Sequence, residues 1–528
     1  MNSVSNTNEC AQDDAQLSTH INGIIEKISD LMTLAKSNFV VKLIFIFVVA
    51  VGVAYWRFSP WEPKVFFADD LYSLWAFYDG VFASTIQQSL AASIFDKYRP
   101  VFQIICHFLF SVFDKNLTLY LAFNLVMQGL NSVFFFLIAS RLSNNKFAIP
   151  LILTIAFASS RLALYQVTQV IGPVESVALA FFLAMIYAVL RSQNDTTPKR
   201  WQWLAIIAIT LSIYTHERYI VVIPWLAVIL FNSRSNKGMT FKYRSLLALA
   251  CLAVLGSNFI VKVLLLHTPF FVGTGGYNIT IDIPMIITHT HEALLSLIGF
   301  NDGPAYLIGN AISINPNTPG NHFSAWLMAV IFTLSCIYVT ARSMSTSTTS
   351  ARHNLGYLFS LLSLIGLLLI PPIFTIRVEG RWEYAPFALI LLSFAWAYGL
   401  PTRRSKKTIG VICVVASIAI LIIDNRITRS FDRIYMVGWA KFGNAIKTDM
   451  IPLFLGQEHS NELLLLADPE ACGTAKINRF FELYSNKKPT IFCAETKHDL
   501  TTLMTEHPGV LAFEYNNLKF TQSMTDPL

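Results

Sequence analysis

The chain has 528 residues, 54% hydrophobic and only 13% charged, with a mean hydropathy of +0.52. Soluble domains carry about 25% charged residues, so water is a poor solvent for this surface and a soluble globular protein is excluded. The formal net charge of +7 falls in short loops between long apolar runs, which argues against a nucleic-acid partner and for a lipid bilayer.

Residues 1–37 are polar and net acidic, with an amphipathic-looking stretch at 16–36, and read as a cytoplasmic N-terminal arm. They lack the short basic region and apolar core of a cleavable signal peptide. A bilayer core of ~30 Å takes about 20 apolar residues per helix. Candidate spans are 38–58, 117–140, 146–159, 174–191, 201–215, 219–232, 245–266, 322–341, 354–374, 384–400 and 408–424. The short apolar run 101–113 suits an interfacial or re-entrant segment. The expected fold is therefore an all-α polytopic membrane protein of about eleven transmembrane helices, spanning 38–424.

Charge in the loops sets the orientation. Lys and Arg gather in alternate connections: Arg141 and Lys146; Arg191, Lys199 and Arg200; Arg234, Lys237, Lys242 and Arg244; Arg342 and Arg352; Arg403, Arg404, Lys406 and Lys407. The intervening connection 267–321 has neither. Basic loops stay in the cytoplasm, which puts the N-terminus inside and the C-terminus outside. Beyond the last span, residues 425–528 alternate strand-like 462–467, 488–493 and 509–515 with helix-like 473–484 and 497–505. This is the βαβαβ pattern of a small non-cytoplasmic α/β domain. Its Cys472 and Cys493 suit a disulfide if that compartment is oxidising.

Ionisable residues beside membrane spans are functional candidates, and here they gather on the outer side. Asp69 and Asp70 lie in the first outer loop, which closes with Tyr98-Arg99-Pro100. Glu175 opens the fourth span. His216-Glu217-Arg218 forms an outer turn, and Arg377, Glu379, Arg381 and Glu383, followed by Tyr384, crowd the last outer loop. Each has a structural alternative: an N-cap pair, a turn, a helix-start carboxylate, an interfacial anchor or local ion pairs. Their shared side is what a glycosyl transfer from a lipid phosphate needs. A carboxylate, Asp69 or Asp70, takes the acceptor's proton or holds a divalent cation such as Mg or Mn. Cations, Arg381 with His216 or Arg218, meet the departing phosphate. Tyr98, Arg99, Glu175, Glu217, Glu383 and Tyr384 would line the donor and acceptor pocket.

The order of these motifs resembles the GT-C superfamily of membrane glycosyltransferases that use polyprenyl-phosphate-linked sugars. It is similar to the tetratricopeptide-bearing protein O-mannosyltransferases and their bacterial relatives. The resemblance covers roughly residues 60–400. It runs from Asp69-Asp70 through Arg99-Pro100, the polar helix face Asn124, Gln128 and Asn131, and His216-Glu217, to Gly380-Arg381-Trp382-Glu383-Tyr384-Ala385-Pro386. Ser160-Arg161 and Tyr165 stand where those proteins carry His-Pro and a carboxylate. The resemblance implies an inverting transfer to a glycan, glycolipid or protein acceptor, with Asp69 or Asp70 as base and Arg381 on the donor phosphate. It also implies a bacterial inner membrane with the site facing the periplasm. Two other functions stay open: a glycan polymerase or ligase using a lipid pyrophosphate, which would prefer an Arg-rich late outer loop, and a transporter or flippase, which would prefer mid-span charges and inverted repeats.

Overall fold

A computed structural model describes residues 38–67, 69–85, 87–88, 97–144, 146–193, 197–232, 240–270, 281–298, 348–374, 380–399, 410–412, 414–415, 417–418, 435–456, 462–466, 477–494, 496–507, 510–516 and 519–522. The N-terminal arm, the span 322–341, Arg377, Glu379, Cys472 and most of 408–424 lie outside the described residues.

Asn38 starts the first helix, α1 (Phe39–Phe58), by accepting the Val40 and Val41 N–H groups on its side-chain oxygen at 2.9 and 3.3 Å. Such capping stabilises a helix start by about 1 kcal/mol. There follow α2 (Asp69–Tyr78), α3 (Pro100–Phe113), α4 (Leu117–Leu142), α5 (Ala148–Ala158), α6 (Leu164–Thr168), α7 (Pro173–Ser192) and α8 (Pro198–Thr215). Next come α9 (Ile223–Asn232), α10 (Phe241–Phe259), α11 (Ile283–Ile298), α12 (Thr348–Ile373) and α13 (Tyr384–Gly399). Among the described residues, five helices are long and apolar enough to cross a membrane: Phe39–Trp61, Leu117–Leu142, Pro173–Ser192, Phe241–Leu265 and Gly356–Ile373. The pair α5 and Arg161–Thr168, bent by 52°, makes a sixth if counted as one span. The count of eleven is thus not confirmed among the described residues. The stretches 201–215, 219–232 and 384–400 are helical but are not among the five.

The bundle is built around α7, which packs against α8 and α4, while α4 also meets α1 and α13. Its interior is aliphatic and aromatic, with Phe157 stacked between Phe135 and Tyr384 at 4.7 and 4.5 Å. Along α1, Phe39, Ile44, Val48 and Trp56 face outward, as suits a helix solvated by lipid. The polar face of α4 has a structural task. Asn124 donates to Gln169 O at 2.6 Å, Gln128 to Ala158 O at 3.1 Å and Asn131 to Ser176 O at 3.0 Å. These amides donate to carbonyls at and beyond the break between α5 and α7; Gln169 O also accepts the Gly172 N–H at 2.9 Å, while Ala158 O, at the end of α5, relies on Gln128.

The C-terminal region opens with α14 (Tyr435–Ala445), a π turn at Ile446–Met450 and α15 (Ile451–Leu455), none of them expected from the sequence. Then come β1 (Glu462–Leu466), α16 (Ile477–Ser485), β2 (Thr490–Ala494), α17 (Lys497–Glu506), β3 (Leu511–Asn516) and β4 (Lys519–Gln522). The predicted βαβαβ order is present. The sheet order is β2-β1-β3-β4, with β1 parallel to both neighbours and β4 antiparallel to β3. Cys493 is disulfide-bonded.

Candidate functional site

The sequence candidates converge at one end of the bundle, where α7 and α9 begin and α8 ends. Glu175, in the first turn of α7, is the hub. Gly172, just before that helix, lets the chain double back closely: a Cβ there would meet Gln166 O at 2.6 Å. Arg218 Nη2 lies 2.5 Å from Glu175 Oε2, His216 Nε2 lies 3.3 Å from Oε1, and Arg381 Nε approaches Oε1 at 4.0 Å. A second carboxylate, Glu217, holds Arg99 Nη2 at 3.7 Å and Lys262 Nζ at 3.0 Å. Among the described residues of this ion-paired group, four cations, Arg99, Arg218, Lys262 and Arg381, meet two carboxylates.

Burial, and then the nearby Arg99 charge, hold the His216 imidazole well below its usual value, with Glu175 opposing. Its Nδ1 accepts the Arg218 N–H at 3.4 Å, while Nε2 lies between Glu175 Oε1 at 3.3 Å and Arg99 Nη2 at 3.5 Å. His216 and Arg218, expected on the donor phosphate, are instead engaged with Glu175. Arg381 is the most open of the cations, with 23% of its side chain exposed. Its guanidinium lies 4.2 Å from the centre of the Tyr165 ring, a cation–π contact that fixes its plane.

The two adjacent aspartates part company. Asp69 is exposed, whereas Asp70 is 3% exposed. The Asp70 carboxylate turns inward, accepting the Ile171 N–H at 3.3 Å and the Val170 N–H. Burial pushes its pKa up to about 7, against the lowering effect of those two N–H groups. Asp69, Asp70, Glu175 and Arg381 all lie within electrostatic reach of Tyr165, so the acidic pair and the open cation belong to one neighbourhood. Within the pair, Asp70 is turned to backbone N–H groups and Asp69 is the exposed carboxylate. Among the described residues no group of three or more His, Cys, Asp or Glu side chains suits a metal.

Other candidates take structural places. Tyr384, expected to line the pocket, is buried in the bundle, where its hydroxyl donates to Phe157 O at 2.9 Å and accepts from Gln128 at 2.7 Å. Tyr98 is buried edge-on against Tyr214 at 5.7 Å. Glu383 is wholly buried in a 3-10 turn at Gly380–Glu383.

Sequence reasoning missed Lys262. It lies in a π-helical turn (Ile260–Leu265) that continues α10, is fully buried, and also donates to Phe270 O at 2.9 Å. π turns recur at functional sites. The available signal was one lysine inside the apolar run 245–266. Compared with models of known protein families and with curated protein sequences, the chain finds no match in either.

Proposed function

We propose that this chain is a membrane glycosyltransferase that moves a sugar from a polyprenyl-phosphate donor to a hydroxyl acceptor at this end of the bundle. The observation that carries the reading is an exposed carboxylate, Asp69, in one neighbourhood with the open Arg381 guanidinium and its Tyr165 platform. The excess of cations in the ion-paired group favours an anionic ligand, and the membrane-length helices offer apolar walls for its lipid chain.

In the reaction, Asp69 takes the proton of the acceptor hydroxyl as its oxygen attacks the anomeric carbon. The carbon–oxygen bond to phosphate breaks with inversion, and the polyprenyl phosphate leaves with the electron pair. Arg381 meets the charge that develops on the leaving phosphate, with a fork suited to two of its oxygens. The burial of Asp70 gives the two carboxylates different tasks: Asp69 reacts, and Asp70 holds the chain. No step is routed through a metal ion.

The test is transfer from a radiolabelled polyprenyl-phosphate sugar in membranes carrying each variant. Asp69→Asn is expected to lower kcat by roughly 100-fold or more, the usual worth of a general base. Asp70→Asn, which keeps an oxygen for the Ile171 N–H, is expected to stay within about tenfold of wild type. Equal loss in both variants would refute the division of labour. Transfer indifferent to Asp69→Asn, or absent across a broad donor and acceptor panel, would refute the transferase reading.

A further inference from the structure

The acidic pair is held in place by a part of the chain nearly 400 residues away. Residues 65–82, which carry Asp69 and Asp70, do not pack as a loop on the bundle alone; they share one hydrophobic core with the C-terminal domain. Phe67 sits edge-on to Phe442 of α14 at 5.7 Å and to Phe480 of α16 at 5.4 Å. Gly443 makes this approach possible, since a Cβ there would lie 2.6 Å from the Phe67 ring. The Phe66 N–H donates to the Tyr484 hydroxyl at 2.8 Å. On the far side of the pair, Arg479 stacks over Trp75 at 4.4 Å.

These contacts bracket the aspartates. The Asp70 N–H donates to Phe67 O at 3.2 Å, so the start of α2 is set by the same two phenylalanines that the C-terminal domain grips. A displacement of Phe66-Phe67 therefore carries Asp69 with it. A misplacement of about 1 Å is enough to cost roughly 100-fold in a reaction that depends on geometry.

We propose that the C-terminal domain is the positioning element of the reacting carboxylate, acting through Tyr484 and Gly443 on Phe66-Phe67. The proposal rests on Asp69 as the base, yet its mechanical half is measurable without any transfer. Tyr484 is a positioning residue: it touches the backbone before the pair, not the reacting atoms. The default role of such a domain, contact with the acceptor, would instead act on acceptor binding.

Two variants test it in the full-length protein. Tyr484→Phe removes one hydrogen bond and keeps the ring; Gly443→Ala drives a methyl group into Phe67. Amide hydrogen exchange over residues 64–75 is expected to quicken at least about fivefold in both, with α7 unchanged as internal control, because a lost hydrogen bond of about 1 kcal/mol has that effect on local opening. In parallel, kcat is expected to fall about tenfold or more while the KM values for donor and acceptor stay put, as for an interaction that matters only in the transition state. Unchanged exchange would overturn the clamp. Faster exchange with unchanged kcat, or a rise in acceptor KM alone, would overturn its positioning role. If the wild type itself transfers nothing, the transferase reading fails, and the exchange arm still decides whether the domain holds this segment.

Discussion

Asp70 is the residue where burial and ionisation conflict most plainly. Its carboxyl, ordinarily near 3.8, is raised to about 7 in the folded chain by burial, with two backbone N–H groups opposing. The folded state therefore holds this proton more tightly than the unfolded state. Below pH 4 both states are protonated and the group is neutral in its effect. As pH rises from about 4 to about 7, the wild type loses stability on the order of 4 kcal/mol through this group, and no more above that. Asp70→Asn cannot ionise. Detergent-solubilised Asp70→Asn is expected to unfold at a higher temperature than wild type at pH 8, with the gap closing toward pH 4. A gap independent of pH would show that the Asp70 pKa does not shift on folding. The same segment shows why adjacent residues cannot be assigned from sequence: in a helical turn Asp69 and Asp70 point about 100° apart, and only what surrounds them decides which one meets solvent.

At the scale of elements, the broken segment α5–α6 depends on its neighbour. Gln128 of α4 pairs the Ala158 carbonyl at the break and supports Tyr384 of α13, while Asn124 donates to Gln169 O just past the segment. Gln128→Leu keeps the volume and removes the donor, leaving Ala158 O buried without it. The expected cost is about 1–3 kcal/mol, read as a lower midpoint in thermal unfolding, with transfer per folded molecule nearly preserved. A selective loss of transfer with unchanged stability would instead place Gln128 in the reaction. The amides were legible as a polar helix face. Their partners were not, because the break they serve lies about 30–45 residues further along and no local pattern ties the two.

For the whole molecule, the C-terminal domain and the segment that carries Asp69 and Asp70 form one folded unit although the intervening chain passes through the bundle. Removing residues 425–528 would uncover Phe66, Phe67, Leu71 and Leu74, all nearly inaccessible in the intact chain. Such a patch in water invites aggregation and local opening. The truncated protein is expected to be cut by added protease within 62–82, where the intact protein resists. Equal resistance in both would mean that the segment folds without the domain.

The sequence by itself determined that the chain carries apolar helices of membrane length and ends in an alternating α/β region, because apolar runs and the alternation of a βαβαβ region are local properties of composition and period. It also singled out the ionisable residues Asp69, Arg99, Glu175, His216 and Arg381, which the structure brings to one end of the bundle. Only the tertiary structure decided who partners whom. Glu175 with Arg218, Glu217 with Lys262, Arg381 on Tyr165 and Phe66 with Tyr484 are each separated by some 40 residues or more. Ion pairs and stacking contacts act over a few ångströms, so they form only where the packing of helices has already brought distant segments together. That packing is a property of the assembled bundle, and it turned two like carboxylates into one that is exposed and one that is buried.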